Sequence, residues 1–310
     1  MRVAIIGGGI IGLYLGWKIS EKGYKVTVFE KKPKIGKETC SGLFSERILD
    51  FIPQSKILLQ NQINSVLIHF PKKTVTIKFS KKFFVMNHAK LDRLVAGLAR
   101  KAGARIQLNH ETRFDRVSLS FDKVVGCDGA NSEVRKFLQL SEPEYRLGIL
   151  GFIPKKDTSD FVETWPVSNG FIWKIPRGKK IEYGIIAKPG EARRIFNDFL
   201  NKNKIKIRGV SSALIAQGLS LPQNPSITLC GDAVGLTKPW SGGGVIWGLT
   251  AAQLLFTNFP DFLKYRWAMK KFFLPQIIFS KIIAKMVYFL GFKIPWLLPK
   301  NIKIEGDFLF

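Results

Sequence analysis

Val3-Ala4-Ile5-Ile6-Gly7-Gly8-Gly9-Ile10-Ile11-Gly12 opens the chain, and Val26-Thr27-Val28-Phe29-Glu30 follows it. The first stretch is a short apolar run of the kind buried on both faces, then a glycine turn, then an apolar run at helical spacing. Residues 10–22 are expected to be a helix stopped by Gly23, and residues 25–30 a second strand. In such a βαβ unit Gly7 permits the tight turn, Gly9 lets backbone approach a pyrophosphate, and Gly12 lets the helix pack close to the strand. The pyrophosphate then meets free N–H groups and the positive end of the helix dipole. Glu30, at the end of the second strand with Lys31 beside it, can accept hydrogen bonds from an adenosine ribose.

A second motif stands more than two hundred residues later: Thr228-Leu229-Cys230-Gly231-Asp232-Ala233-Val234-Gly235. Asp232 follows a strand at 226–230, where a carboxylate can hold ribityl hydroxyls. Lys238-Pro239-Trp240-Ser241-Gly242-Gly243-Gly244 then leads into a helix over 244–256. Bare amides at a helix start stabilise negative charge on the pyrimidine side of a reduced flavin. Gly242, Gly243 and Gly244 carry no side chains to block a flat ring. The two motifs together narrow a nucleotide site to an FAD site. In both places the competing reading is a glycine-rich turn with no ligand.

Outward from these motifs, Asn87 is placed to cap a helix over 88–102, whose Leu91, Leu94, Val95 and Leu98 share one face. Asp122–Cys127 reads as another buried strand leading into Asp128-Gly129. Residues 63–70 and 74–79 read as a hairpin outside the nucleotide core. Residues 145–215 are short aromatic and β-branched runs, the pattern of an antiparallel sheet. The segment 262–298 is rich in Phe, Trp, Leu and Ile, is interrupted by Pro275, Gly291 and Pro295, and carries lysines at 270, 271, 281, 285 and 293. A basic helix lying on a membrane has this composition, and so does a helix covering a core. No run of about 18 uncharged apolar residues is present, so no transmembrane helix is expected.

The chain has 310 residues, 46% hydrophobic, which suits one large or two modest domains and excludes disorder. Lys and Arg number 49 against 23 Asp and Glu, a net charge of +26. Such an excess attracts anionic lipid, acidic proteins or polyanions. No zinc finger, RNA-binding signature or helix-turn-helix pattern accompanies it, so no nucleic-acid partner is expected. Cys40, Cys127 and Cys230 have neither metal-ligand nor disulfide spacing, which points to a reducing, cytoplasmic compartment. No metal site is expected. His69 and His110 have no identifiable partner and read as surface residues.

These blocks, in this order, resemble the FAD-dependent superfamily that includes p-hydroxybenzoate hydroxylase; Gly126-Cys127-Asp128-Gly129-Ala130 is similar to its Asp-Gly motif. Within it, the finer resemblance is to geranylgeranyl reductases of the digeranylgeranylglycerophospholipid type. Cys40-Ser41-Gly42 is similar to their Cys-x-Gly block, and Gly170-Phe171-Ile172-Trp173-Lys174-Ile175-Pro176 to their Gly-Tyr-x-Trp-x-Phe-Pro motif. Phe171 stands in place of the usual Tyr. His88 stands where related flavoproteins carry an Arg, and Leu91-Asp92 replaces their Phe-Asp pair.

The resemblance implies an α/β fold: a Rossmann-like FAD-binding domain formed by residues 1–60, 86–144 and 218–260, an inserted antiparallel substrate sheet formed by 61–85 and 145–217, and a helical, membrane-associated segment over 261–310. It implies an FAD-dependent reductase that saturates C=C bonds of prenyl chains on an isoprenoid lipid. FAD would be held by Gly7, Gly9, Gly12, Glu30, Lys31, Cys40, Asp128, Gly231, Asp232, Pro239, Gly242, Gly243 and Gly244. Cys40 and Trp173 would face the substrate. By residue type alone Cys40 reads as a small buried filler, and it is the matching block that brings the functional reading level with it. The electron donor would be ferredoxin or NAD(P)H, and the protein would sit peripherally on the inner face of the cell membrane. The Asp-Gly block suits a flavin monooxygenase as well, and a non-catalytic flavin-binding protein is the third reading.

Overall fold

The computed structural model describes residues 1–36, 39–111 and 120–309. In chain order the strands are β1 (Arg2–Ile6), β2 (Lys25–Phe29), β3 (Leu43–Ser45), β4 (Leu59–Phe70), β5 (Lys73–Met86), β6 (Arg105–Gln107) and β7 (Lys123–Gly126). They continue as β8 (Glu144–Ile153), β9 (Phe161–Val167), β10 (Gly170–Pro176), β11 (Ile181–Ala187), β12 (Arg208–Gln217), β13 (Ile227–Leu229) and β14 (Asn301–Ile304).

Five strands, in the order β13-β7-β1-β2-β6, form a wholly parallel sheet. β1 is apolar along its length because Val3, Ala4 and Ile5 are covered on both faces. The helix Ile10–Glu21 packs beside the helices His88–Lys101 and Val245–Asn258 over this sheet. Asn87 caps the second of these, its side chain accepting from Lys90 N at 2.9 Å.

The other nine strands form a large, mostly antiparallel sheet in the order β12-β8-β11-β10-β9-β4-β5-β14, with β3 on β5. β4 pairs with β9, and β5 with β14, in parallel. The expected hairpin is present but longer than 63–70 and 74–79, running from Leu59 to Met86. The stretch 145–215 is not all sheet. Pro189–Lys202 is a helix whose Ala192, Phe196 and Leu200 fill a satellite core under β8 and β11.

The last fifty residues depart from expectation in two ways. Phe262–Lys293 is one 32-residue helix that passes through Pro275 and Gly291 and ends before Pro295. By length and composition it could cross a membrane, which the sequence reading did not anticipate; only 17% of its most apolar stretch is buried. The segment is also not wholly helical, because β14 joins the edge of the large sheet.

Candidate functional site

A cavity of about 620 Å³ runs between the two sheets. At one end, Gly7 has φ +111°, and a Cβ on it would stand 2.3 Å from the carbonyl oxygen of Cys127. Glycine is therefore forced by the backbone and by the close passage of β7. A Cβ on Gly12 would stand 2.0 Å from the Gly7 carbonyl oxygen, which fixes how near the first helix comes to the turn. Gly12 packs beneath the turn and does not line the cavity. Gly9 does line it, and the space above Gly9 is open. Gly9 caps the helix without a side-chain hydrogen bond, and the first turn holds no acid. Its amides thus meet the cavity as an anion-binding terminus.

Glu30 and Lys31 line the same end. The Glu30 carboxylate accepts from Gly8 N at 2.8 Å and Lys32 N at 2.9 Å, so it braces the glycine turn and retains lone pairs for a ribose. His110, which the sequence left without a partner, lies against the Phe29 ring with centroids 4.8 Å apart. His69 likewise has partners, Thr74 and Glu163, but far from the cavity lining.

Asp128 lines the middle of the cavity. Its Oδ2 accepts from Glu133 N at 2.7 Å and Val134 N at 3.2 Å, holding the short helix Glu133–Phe137. Its Oδ1 is buried and has no hydrogen-bond partner among the described residues. Burial pushes its carboxyl above the usual range, against the hydrogen bonds that pull it down. A buried orphan acceptor beside open space fits a hydroxyl-bearing ligand. Asp232 also lines the cavity. Gly231 and Pro239 do not: Gly231 packs on Ile11, and the Pro239 carbonyl lies 3.4 Å from Gln217 Nε2. Gly242, Gly243 and Gly244 line the cavity where the helix Val245–Asn258 begins, again with no side-chain cap and no acid in the first turn.

The rest of the cavity is lined mainly by side chains, with Gly148 among them and Gly242 set against Ile186 and Ile215. Cys40 and Trp173 both line it, as do Leu150, Ile186 and Ile215 from the large sheet. Phe171, which stands in place of the usual Tyr, packs on Trp173 and does not line the cavity. Trp173 Nε1 donates to Glu182 Oε1 at 2.9 Å, and Arg177 Nη1 donates to Glu182 Oε2 at 2.8 Å. The Arg177 guanidinium also donates to the carbonyls of Ser41 and Met86 and to Gln60 Oε1. One buried ion pair thus ties Trp173 to the Cys40 loop. Burial raises the Glu182 carboxyl to about 7, opposed by the Arg177 charge and the two hydrogen bonds.

Sequence reasoning missed three side-chain pairings at this end. His88 and Asp92 line the cavity beside Cys40, with Nε2 and Oδ1 3.3 Å apart. Arg177 and Glu182 are a buried pair on neighbouring strands. Lys238 is buried against Asp307, whose Oδ2 also takes the Ser45 hydroxyl. The Asn87 cap and the odd His88 were the only signals available for the first. Cys127 and Cys230 both line the cavity, Cys230 fully buried, and burial raises both thiols. Among the described residues no cluster fit for a metal ion occurs.

Comparison with known proteins bears on this site. The NAD(P)-binding Rossmann-like domain family matches residues 5–49. A digeranylgeranylglycerophospholipid reductase of Thermoplasma volcanium is 25% identical, the alignment covering 81% of this chain and 77% of the relative. One from Methanothrix thermoacetophila is 21% identical, covering 81% and 75%. Among solved structures, a geranylgeranyl bacteriochlorophyll reductase-like protein of Thermoplasma acidophilum superposes with a TM-score of 0.77 at 19% identity, covering 92% of this chain and 86% of the other. A flavin-dependent brominase superposes at 0.73 with 14% identity, covering 93% and 88%. The chain is therefore a sequence homologue of proteins named digeranylgeranylglycerophospholipid reductase, and it shares its fold with a geranylgeranyl reductase-like protein.

Proposed function

We propose that this protein is an FAD-dependent reductase that saturates C=C bonds in the geranylgeranyl chains of an isoprenoid lipid. The observation that carries the reading is the composition of this cavity. Two uncapped helix starts and an orphan carboxylate oxygen line one part, and a thiol, an indole and aliphatic side chains line the other. The first part fits a dinucleotide flavin: Gly9 and the first helix start for pyrophosphate, Glu30 for the adenosine ribose, Asp128 and Asp232 for hydroxyls, and Gly242–Gly244 for the pyrimidine edge. A bound, reduced flavin would supply a hydride to an isolated alkene. The chain's own residues do the rest. Leu150, Ile186 and Ile215 exclude water and accept a prenyl chain, Trp173 is held in place by Glu182, and Cys40 stands ready to handle a proton.

We also place the protein peripherally on the inner face of the cell membrane. The C-terminal helix buries Phe262, Tyr265, Met269, Phe273 and Ile277 against the core. Its opposite side exposes Trp267, Leu274, Ile278, Ile282, Met286 and Phe289, with exposed lysines at 271, 281, 285 and 293 along the same stripe. Hydrocarbon flanked by lysine fits an anionic lipid surface, and the net charge of +26 acts in the same direction. One face is held by the core, so the helix lies on the bilayer rather than spans it.

The test is anaerobic: the FAD-reconstituted, dithionite-reduced protein is mixed with a geranylgeranylated phospholipid and the lipid is weighed by mass spectrometry. Gains in steps of two hydrogens, with flavin reoxidation, support the reading. A reduced flavin that ignores the lipid but, in air with NADPH, puts oxygen into a product would replace it with a monooxygenase.

A further inference from the structure

His88 is the first residue of its helix, and Asp92 lies one turn later on the same face. Both are almost wholly buried, His88 at 5% and Asp92 at 1% exposure. The imidazole is edge-on to the Phe44 ring, with centroids 5.6 Å apart, which holds its plane. Cys40 faces it from the neighbouring loop, where the sulfur also accepts from Gly42 N at 3.4 Å. Three groups therefore act on the ring: the Cys40 thiol from the loop, the Asp92 carboxylate from its own helix, and the uncharged Phe44 from β3.

Burial alone would keep this imidazole neutral. The negative charge available from Cys40, and then from Asp92, whose Oδ1 lies 3.3 Å from the ring, outweighs burial and raises His88 to about 10. A cation so placed favours the thiolate form of its neighbour. The other two cysteines are driven the opposite way by burial. All three cysteines line the cavity, and Cys40 is set apart from the other two by the His88 cation beside it.

We propose that Cys40, His88 and Asp92 form a proton-delivery unit for the reduction, with Cys40 the catalytic residue and His88 and Asp92 positioning residues. This rests on the function proposed above. The pair holds one proton between sulfur and imidazole. When the alkene takes hydride at one carbon, the two electrons coming from the reduced flavin, the shared proton passes from the His88 imidazolium through the Cys40 sulfur to the other carbon, so that an imidazolium N–H bond breaks and a C–H bond forms. A thiolate is left beside a neutral imidazole. Solvent then returns a proton to His88, and Asp92 stabilises the resulting cation.

The test reads the thiol directly. Full-length protein is alkylated with iodoacetamide between pH 6 and 8, and labelling at Cys40 is timed by peptide mass spectrometry. The wild-type rate is expected to stay nearly level down to pH 6. In His88→Gln the rate should fall about tenfold per pH unit, as for a free thiol of pKa about 8.5. Asp92→Asn should fall between the two. A wild-type profile that itself drops tenfold per unit overturns the proposal, whether or not the variants fold. The two readings fail separately. Lipid reduction with an ordinary Cys40 titration removes the proton unit and leaves the reductase. An ionised Cys40 in a protein that never reduces lipid removes the reductase, and the delivery step with it.

Discussion

The two ends of the cavity are built from different material. The nucleotide end is backbone: glycines, strand ends and the amides of two helix starts. The end that faces the prenyl chain is side chains, drawn from the 39–42 loop, the helix at His88, and β8, β10, β11 and β12. Backbone sites must be written locally, because a turn and the helix after it need specific neighbours. Side-chain sites need only the right residue at a position the fold happens to bring near.

That contrast can be broken from either end. The largest effect is expected at the backbone end. Gly12→Val puts a branched side chain where even a Cβ stands 2.0 Å from the Gly7 carbonyl, so the first helix cannot seat. No flavin should survive gel filtration, and a variant that keeps stoichiometric FAD would refute the packing account.

Next comes the buried pair at the side-chain end. Arg177→Met removes the partner of Glu182 and unties the Cys40 loop. It should cost about 3–5 kcal/mol in a chemical denaturation curve, the range for a buried charge left alone. A loss near zero would mean that water reaches Glu182.

A smaller effect is the pH slope of stability. Glu182 has a folded pKa near 7, above the ordinary 4.5. The folded state therefore binds its proton more tightly than the unfolded chain between those values. Stability falls as pH rises from about 4.5 to 7 and levels above it. His88, raised to about 10, shares its proton with Cys40, so the pair adds a further decline only above the ordinary thiol value, from about 8.5 to 10. Glu182→Gln should flatten the lower window only, read as Tm against pH.

The smallest effect on the fold, though not on lipid, is expected on the outer stripe. Ile278→Glu, Ile282→Glu and Phe289→Glu together should weaken sedimentation with anionic vesicles at least tenfold and leave Tm nearly unchanged, because these residues touch no core. Equal vesicle binding by the triple variant would move the membrane contact elsewhere.

Legibility in the sequence follows the same divide. Val3–Gly12 and Val26–Glu30 announce the parallel sheet because both-faced burial makes continuous apolar runs and the turn demands glycine. Asp128 and Asp232 were visible because each follows such a run. Cys40 and Trp173 were visible only through resemblance to known motifs. His88 and Asp92 were visible only as departures from such a motif, and Glu182 not at all: their meaning comes from pairing across 48 residues in one case and across a hairpin in the other. β14 was missed because an edge strand after a long helix is set by what it pairs with, not by its own four residues. Pro275 was expected to break the last helix; it does not, because packing of Phe273 and Ile277 on the core holds the turns on either side.

The measurement that tests the central claim most directly is the anaerobic turnover of a geranylgeranylated phospholipid by the reduced, FAD-loaded protein, followed by lipid mass. The account predicts mass gains in steps of two hydrogens, matched by flavin reoxidation. An unchanged lipid in the presence of fully reduced, stably bound FAD would contradict it.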